Sequence, residues 1–177
     1  MKSITINDNK LLDKDINKVG NKVRAILVSD DKILVSHYGG VMLLPGGSID
    51  KGESENEAII RELQEETGIS YKISELRKVL SLKYYQPNYP TREKIKINRL
   101  MTTNYFLGQF KGIDLSKVNR TEKEKKDNFS LELLTYDEII NKLNIGNDNP
   151  RREYFDRELK EILNVYKDLI EKDIDDR

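Results

Sequence analysis

The stretch that decides the reading is Gly47-Ser48-Ile49-Asp50-Lys51-Gly52-Glu53, seven intervening residues, and then Arg61-Glu62-Leu63-Gln64-Glu65-Glu66-Thr67-Gly68-Ile69. Ser54 and Glu57 stand at the S-x-x-E spacing of a capping box, which satisfies the first free amides of a helix. Ile59, Ile60 and Leu63 recur at helical spacing and Gly68 supplies the stop, so a helix is predicted from Ser54 to Gly68. Within it Glu62, Glu65 and Glu66 share one face, and like charges so placed destabilise a bare helix by about 0.2–0.5 kcal/mol per pair. A cation is expected to offset them. Arg61 reaches Glu65 at i+4, but one guanidinium cannot neutralise three carboxylates, and the remainder suits a hard divalent ion, Mg²⁺ or Mn²⁺. Ala58, one turn earlier on the same face, is small enough not to obstruct it. The preceding glycines let the loop fold back, bringing Glu53 toward the cluster and exposing backbone groups to a ligand.

Outward from this helix the pattern becomes that of strands. Lys22 to Val28 is rich in β-branched residues, turns at Ser29-Asp30-Asp31 and resumes at Lys32 to Ser36, which predicts a hairpin; Val41 to Leu44 is a further apolar run that Pro45-Gly46-Gly47 ends. Beyond the helix, strands are predicted at Arg77 to Tyr85 and Leu100 to Phe110, separated by a loop carrying Pro87, Asn88, Tyr89 and Pro90. Leu131 to Leu134 predicts another strand and Tyr136 to Leu143 a short helix. Asn149-Pro150 reads as N-cap and N1 of a final helix to about residue 172, along which Phe155, Leu159, Ile162, Tyr166 and Leu169 trace one stripe suited to core packing. Strands with interspersed helices predict one mixed α/β domain over residues 1–177.

Composition narrows the chemistry. The chain has no cysteine and one histidine, His37, so thiolate zinc sites, cysteine nucleophiles and multi-histidine metal sites are excluded. Its 31 basic and 31 acidic residues balance, leaving no overall field toward nucleic acid or membrane. No apolar run approaches the roughly 20 residues of a membrane span, and Met1 to Ile6 lacks the apolar region of a signal peptide, so a cytoplasmic protein is expected. P-loop, dinucleotide-binding and nucleophile-elbow glycine patterns are missing. A divalent ion on a carboxylate helix suits water attack on a phosphoanhydride.

Residues Gly47 to Ile69 resemble the Nudix box, G-x5-E-x7-R-E-U-x-E-E-x-G-U with U aliphatic, at every defined position. The resemblance implies a Nudix-type α/β/α sandwich with a mixed sheet, and Mg²⁺- or Mn²⁺-dependent hydrolysis of a nucleoside diphosphate linked to another moiety. It implies Glu62, Glu65 and Glu66 as metal ligands, Gly47 as a backbone contact at the metal, Glu53 as an outer carboxylate and Arg61 as the residue orienting the glutamates. The catalytic base stays open between Glu65 and the later Glu122, Glu124 and Asp127. The alternative is a catalytically silent module binding a nucleotide or RNA end. Tyr84, Tyr85 and Tyr89, with Arg92, Lys94 and Lys96, suit base stacking and phosphate contact as well as they suit strand packing; Tyr85, Tyr89 and Arg92 are the substrate-binding candidates. In the family, a tyrosine after the box marks dinucleoside polyphosphate hydrolases and a proline there marks ADP-ribose pyrophosphatases; Tyr85 and Pro87 occur together, so both remain open. The expected partner is a small nucleotide-type substrate, with an RNA 5′ end also considered, and the expected assembly a monomer or homodimer. His37 reads as a polar strand end.

Overall fold

The computed structural model describes residues 1–119, 128–145 and 148–175, with side chains up to residue 167. Its strands are β1 (Lys2–Ile6), β2 (Lys18–Ser29), β3 (Lys32–Tyr38), β4 (Val41–Leu43), β5 (Gly46–Ser48), β6 (Arg77–Pro90), β7 (Lys96–Gln109) and β8 (Ser130–Thr135). Its helices are α1 (Glu55–Thr67), α2 (Tyr136–Leu143) and α3 (Arg152–Asp175). The sheet runs β1-β6-β7-β2-β3-β4, with β5 beside β2 and β8 beside β3. It is mixed: β1 pairs parallel with β6, and β2 with β7, while the other pairings are antiparallel.

The alternation of β2 explains the layers. Val23, Ala25 and Leu27 join Ala58, Ile59 and Leu63 of α1 in one core, and Ile26 joins Ile139, Leu159 and Ile162 of α2 and α3 in the other. An apolar run such as Ala25 to Val28 is therefore covered on both faces, which is why it shows no polar alternation. The sheet lies between α1 and the C-terminal helices, the α/β/α arrangement expected. Because side chains alternate, Lys22 and Arg24 take the same face as Ile26, toward α3.

Three sequence expectations change. The segment with Pro87 and Pro90 is not a loop: β6 continues through it and pairs Tyr89 with Ile97 and Pro90 with Lys96. An irregularity between Gln86 and Tyr89 makes this tolerable, with Asn88 at φ 52° and its amide donating to Asn98 Oδ1 at 3.0 Å. The final helix starts at Arg152 rather than at Pro150. Asn149 accepts the Arg151 amide on its side chain and the Arg152 amide on its carbonyl, forming a turn ahead of the helix. β1, unforeseen, is an edge strand of five residues that needs β6 to exist. No helix among the described residues is long and apolar enough to cross a membrane.

Candidate active site

Helix α1 is fixed at both ends by the residues read from sequence. Ser54 accepts the Glu57 amide at 3.3 Å, Glu57 accepts the Ser54 amide at 2.8 Å, and Gly68 closes the helix at φ 73°. Ala58, Ile59 and Leu63 anchor it against the sheet, and the same placement buries Glu62 and Glu66. Buried carboxylates need polar compensation.

Arg61 supplies it. Its Nε donates to Glu53 Oε1 at 2.7 Å and its Nη2 to Glu53 Oε2 at 2.8 Å, a two-pronged pair; its Nη1 donates to Glu62 Oε1 at 2.9 Å and to Glu65 Oε2 at 3.5 Å. A further bond to the Ser48 carbonyl at 3.1 Å ties the fan to the glycine loop. The Arg61 bonds hold the Glu53 carboxyl down at about 2, and the same bonds raise the guanidinium's own pKa. Glu53 also accepts the Asp50 amide at 2.9 Å, so both of its oxygens are engaged. Glu66 turns to the other side and accepts the Gly46 amide at 3.1 Å.

The glycines are there for close approach. Gly46, at φ 130°, has no room for a Cβ, which would lie 2.2 Å from the Val23 carbonyl oxygen and 2.8 Å from Arg24 Cα. At Gly47 a Cβ would lie 2.2 Å from Glu62 Oε1, so the bare backbone sits directly against that carboxylate. Glu62, Glu66, Gly46 and Gly47 face a cleft of about 760 Å³ whose lining also includes Tyr89, Arg92, Arg99, Arg151 and Phe155. As they stand, no three carboxylates among the described residues converge on one point, since Arg61 takes up Glu62 and Glu65. The donor set still fits a hard divalent ion: oxygen ligands only, two of them buried on the cleft wall, against backbone from which a side chain is excluded.

The predicted residues thus divide. Gly47, Glu62, Glu66, Tyr89 and Arg92 line the cleft; Glu53 and Arg61 open onto a neighbouring depression of about 660 Å³ and act on the cleft through Glu62. Glu65 stands beside Arg61, and its carbonyl accepts the Asn119 amide at 3.0 Å. Glu122, Glu124 and Asp127 lie outside the described residues. Tyr85 does not reach the cleft: its hydroxyl meets Asp13 at 3.2 Å, and with Lys96 it lines a separate groove. Tyr84 is buried in the core. His37 bonds Glu132 at 2.9 Å at the end of β3. Tyr89 is on the cleft but is no open stacking platform, because the Arg99 guanidinium lies 3.2 Å over its ring centre and Tyr154 meets it edge-on at 5.1 Å.

The sequence reading missed the basic side of the cleft. Lys22 and Arg24 come from β2, Arg99 from β7 and Arg151 from the turn before α3. The available signal was in β2, where two cations alternate with Val23 and Ala25 inside an otherwise apolar strand. Arg24 is buried, donates to the Leu44 carbonyl at 2.6 Å and lies 3.5 Å from Glu158, which accepts the Tyr105 hydroxyl at 2.6 Å. Crowding by protein, reinforced by the charge of Arg24, pushes the Lys22 amine down to about 8.

Comparison with known proteins bears on the fold and the family. An ADP-ribose pyrophosphatase of Methanocaldococcus jannaschii is 39% identical over 64 residues, 33% of this chain and 38% of that protein. An RNA pyrophosphohydrolase of Erythrobacter litoralis is 35% identical over 81 residues, 42% of this chain and 48% of that one. The matched stretch spans less than half the length of either relative. A solved NUDIX hydrolase from Nitrosomonas europaea shares the fold with a TM-score of 0.53 at 22% identity, covering 80% of this chain and 89% of its own. The NUDIX domain model matches residues 20–159, from within β2 to the first turns of α3, and on that match the chain belongs to the NUDIX family.

Proposed function

We propose that this chain is a metal-dependent pyrophosphohydrolase that splits a phosphoanhydride in a nucleoside diphosphate linked to another moiety. The observation that carries the reading is the Arg61 fan, which holds Glu53, Glu62 and Glu65 together behind a cleft that Glu62 and Glu66 face from α1. Those carboxylates would bind Mg²⁺ or Mn²⁺ through Glu62 and Glu66, with Glu65 and the Gly47 backbone completing the set. The ion supplies neutralisation of phosphate charge and a more acidic bound water.

The protein's own residues do the rest. In the hydrolysis, a water oxygen forms a bond to phosphorus, the bridging P–O bond breaks with its electrons left on the departing phosphate, and the water proton passes to a carboxylate. Glu53 is unsuited to receive it, since Arg61 and the Asp50 amide engage both of its oxygens and hold it strongly acidic. It is a positioning residue for Arg61. Glu65, whose link to Arg61 is the longest of the fan and whose side chain is a third exposed, is the base among the described residues. A silent binding module has no need of so many fixed carboxylates around one arginine, and the reaction takes place within one cytoplasmic domain.

The test is turnover with Mg²⁺ of a panel of nucleoside triphosphates, dinucleoside polyphosphates, nucleotide sugars, ADP-ribose and triphosphorylated RNA, with products identified. Glu66→Gln is expected to fold and to lose about a hundredfold or more of turnover. Wild type and Glu66→Gln hydrolysing every compound at the same rate would remove the site from the chemistry.

A further inference from the structure

Three cations on the cleft are held in place by neutral groups. Lys22 lies over the Phe155 ring at 6.0 Å. Arg99 is clasped by the Gln86 side chain and the face of Tyr89. Arg151 donates to the Pro90 carbonyl at 3.1 Å and lies 5.8 Å from the same tyrosine ring. Among the described residues, no carboxylate comes within ion-pair distance of any of them, although Arg24, deeper in the wall, has Glu158. Holding several cations near one another in a half-buried wall without a directly paired carboxylate is costly: burial lowers the pKa of Lys22 and of Arg99, neighbouring cations add to it, and the more distant Glu158, with Glu62 at Lys22, works against it. An anion entering the cleft would relieve it.

Strand register gives this wall a direction. Lys22 pairs with Ser48 and so lies beside the glycine loop and Glu62. Arg99 pairs with Lys18, four residues back along β2 on the same face, about 13 Å away at the backbone, a span that two long side chains narrow. Between them Gly20 has no side chain, and the Met101 side chain fills the space above it without adding charge. A chain of phosphates leaving the carboxylate helix would pass Lys22 first and then meet Arg99 and Arg151.

We propose that Lys22, Arg99 and Arg151 form an anion track and that the substrate is a nucleoside-linked chain of three or more phosphates, as opposed to a diphosphate joining two uncharged groups. This rests on the pyrophosphohydrolase reading for its chemistry but not for its binding. Tyr89 contributes by fixing Arg99, which explains why an aromatic residue on a nucleotide cleft is covered instead of open. The track comes from β2, β7 and the turn ahead of α3, and so lies outside the carboxylate helix.

The binding test uses the full chain and inorganic tripolyphosphate, with pyrophosphate as the shorter control, by titration calorimetry. Tripolyphosphate is expected to bind about tenfold or more tightly than pyrophosphate, the equivalent of one further charge-assisted contact. Lys22→Met and Arg99→Gln should each erase that preference and Lys22→Arg should keep it; Arg151→Gln, which severs only a backbone carbonyl contact and a ring contact, replaces either variant that does not fold. Equal affinity of wild type for the two anions, or neutral variants that keep the preference, overturns the proposal. Turnover forms a separate arm: ATP and diadenosine tetraphosphate should exceed ADP-ribose in kcat/KM by about tenfold or more, and the reverse order also overturns it. Tripolyphosphate preference without turnover of any nucleotide would sink the hydrolase reading and leave the track standing.

Discussion

A methyl group at residue 47 and one at residue 46 would do different damage, although the two glycines are neighbours. At Gly47 it meets the Glu62 carboxylate, which can swing away, so Gly47→Ala should leave the melting temperature nearly unchanged and lower turnover by about tenfold or more through a misplaced ligand. At Gly46 it meets backbone that cannot yield, at a φ of 130°, and Gly46→Ala should destabilise the fold by about 2–4 kcal/mol in denaturant unfolding. Equal effects of the two on stability would contradict this division. Arg61 offers a pH test. It holds Glu53 at about 2 against an ordinary value of 4.5, so the pair's contribution to stability is complete above the ordinary value and is lost as pH falls through the folded one. Arg61→Gln should return the Glu53 midpoint toward 4.5 and weaken the dependence of stability on pH in that acid window. NMR titration of the glutamate side chain measures it, and an unmoved midpoint would show that Arg61 is not the cause. At this scale the sequence was informative about α1, because Glu62, Glu65 and Arg61 are near neighbours on one helix. It was uninformative about Tyr85, whose partner Asp13 is 72 positions away.

Helix α1 is the element on which the site depends, and its ends decide whether Glu62 and Glu66 are held on the cleft. Ser54→Ala removes an acceptor for one of the first free amides and should cost about 1 kcal/mol. Gly68→Ala should cost more, about 2 kcal/mol, because residue 68 sits at φ 73° and a Cβ would lie 2.1 Å from the Asp114 carbonyl oxygen. Chemical denaturation of both variants checks the order, and a Gly68→Ala protein as stable as wild type would rule out the packing against Asp114. Caps are local, so the limits of α1 were readable from residue types alone. The β6–β7 ribbon was not, because proline ordinarily ends a strand. Here the irregularity at Gln86 to Tyr89, and the Thr91 and Ile95 backbone bond that closes the turn, carry the pairing past Pro87 and Pro90. Through that continuation Tyr89 and Arg99 come into contact.

For the whole molecule, an ion that binds only folded chains must raise the melting temperature, and the two proposed ligands and the backbone facing them come from different elements. Mg²⁺ or Mn²⁺ at a hundred times its dissociation constant should add about 2.7 kcal/mol of apparent stability, a chelator should reverse it, and Glu62→Gln combined with Glu66→Gln should abolish it. A thermal melt unmoved by either ion would refute the proposed metal site. The same assembly explains how far the residues could be read unaided. Apart from β1 and the short β5, where Gly46 and Gly47 read as a strand end, the order of strands and helices, the capped helix and its carboxylates follow from periodicity, turn chemistry and spacing, which act over a few residues and are written in consecutive positions. Tertiary structure alone decided that β1 joins the sheet, that Glu53 and Arg61 stand behind the cleft, that Tyr85 is elsewhere, and that Lys22, Arg99 and Arg151 share one wall with Glu62. Those side chains meet because parallel pairing of β2 with β7 and the return of the chain into α3 place distant segments side by side. The buried apolar area of the two cores holds them there, and no local preference of the chain encodes that juxtaposition.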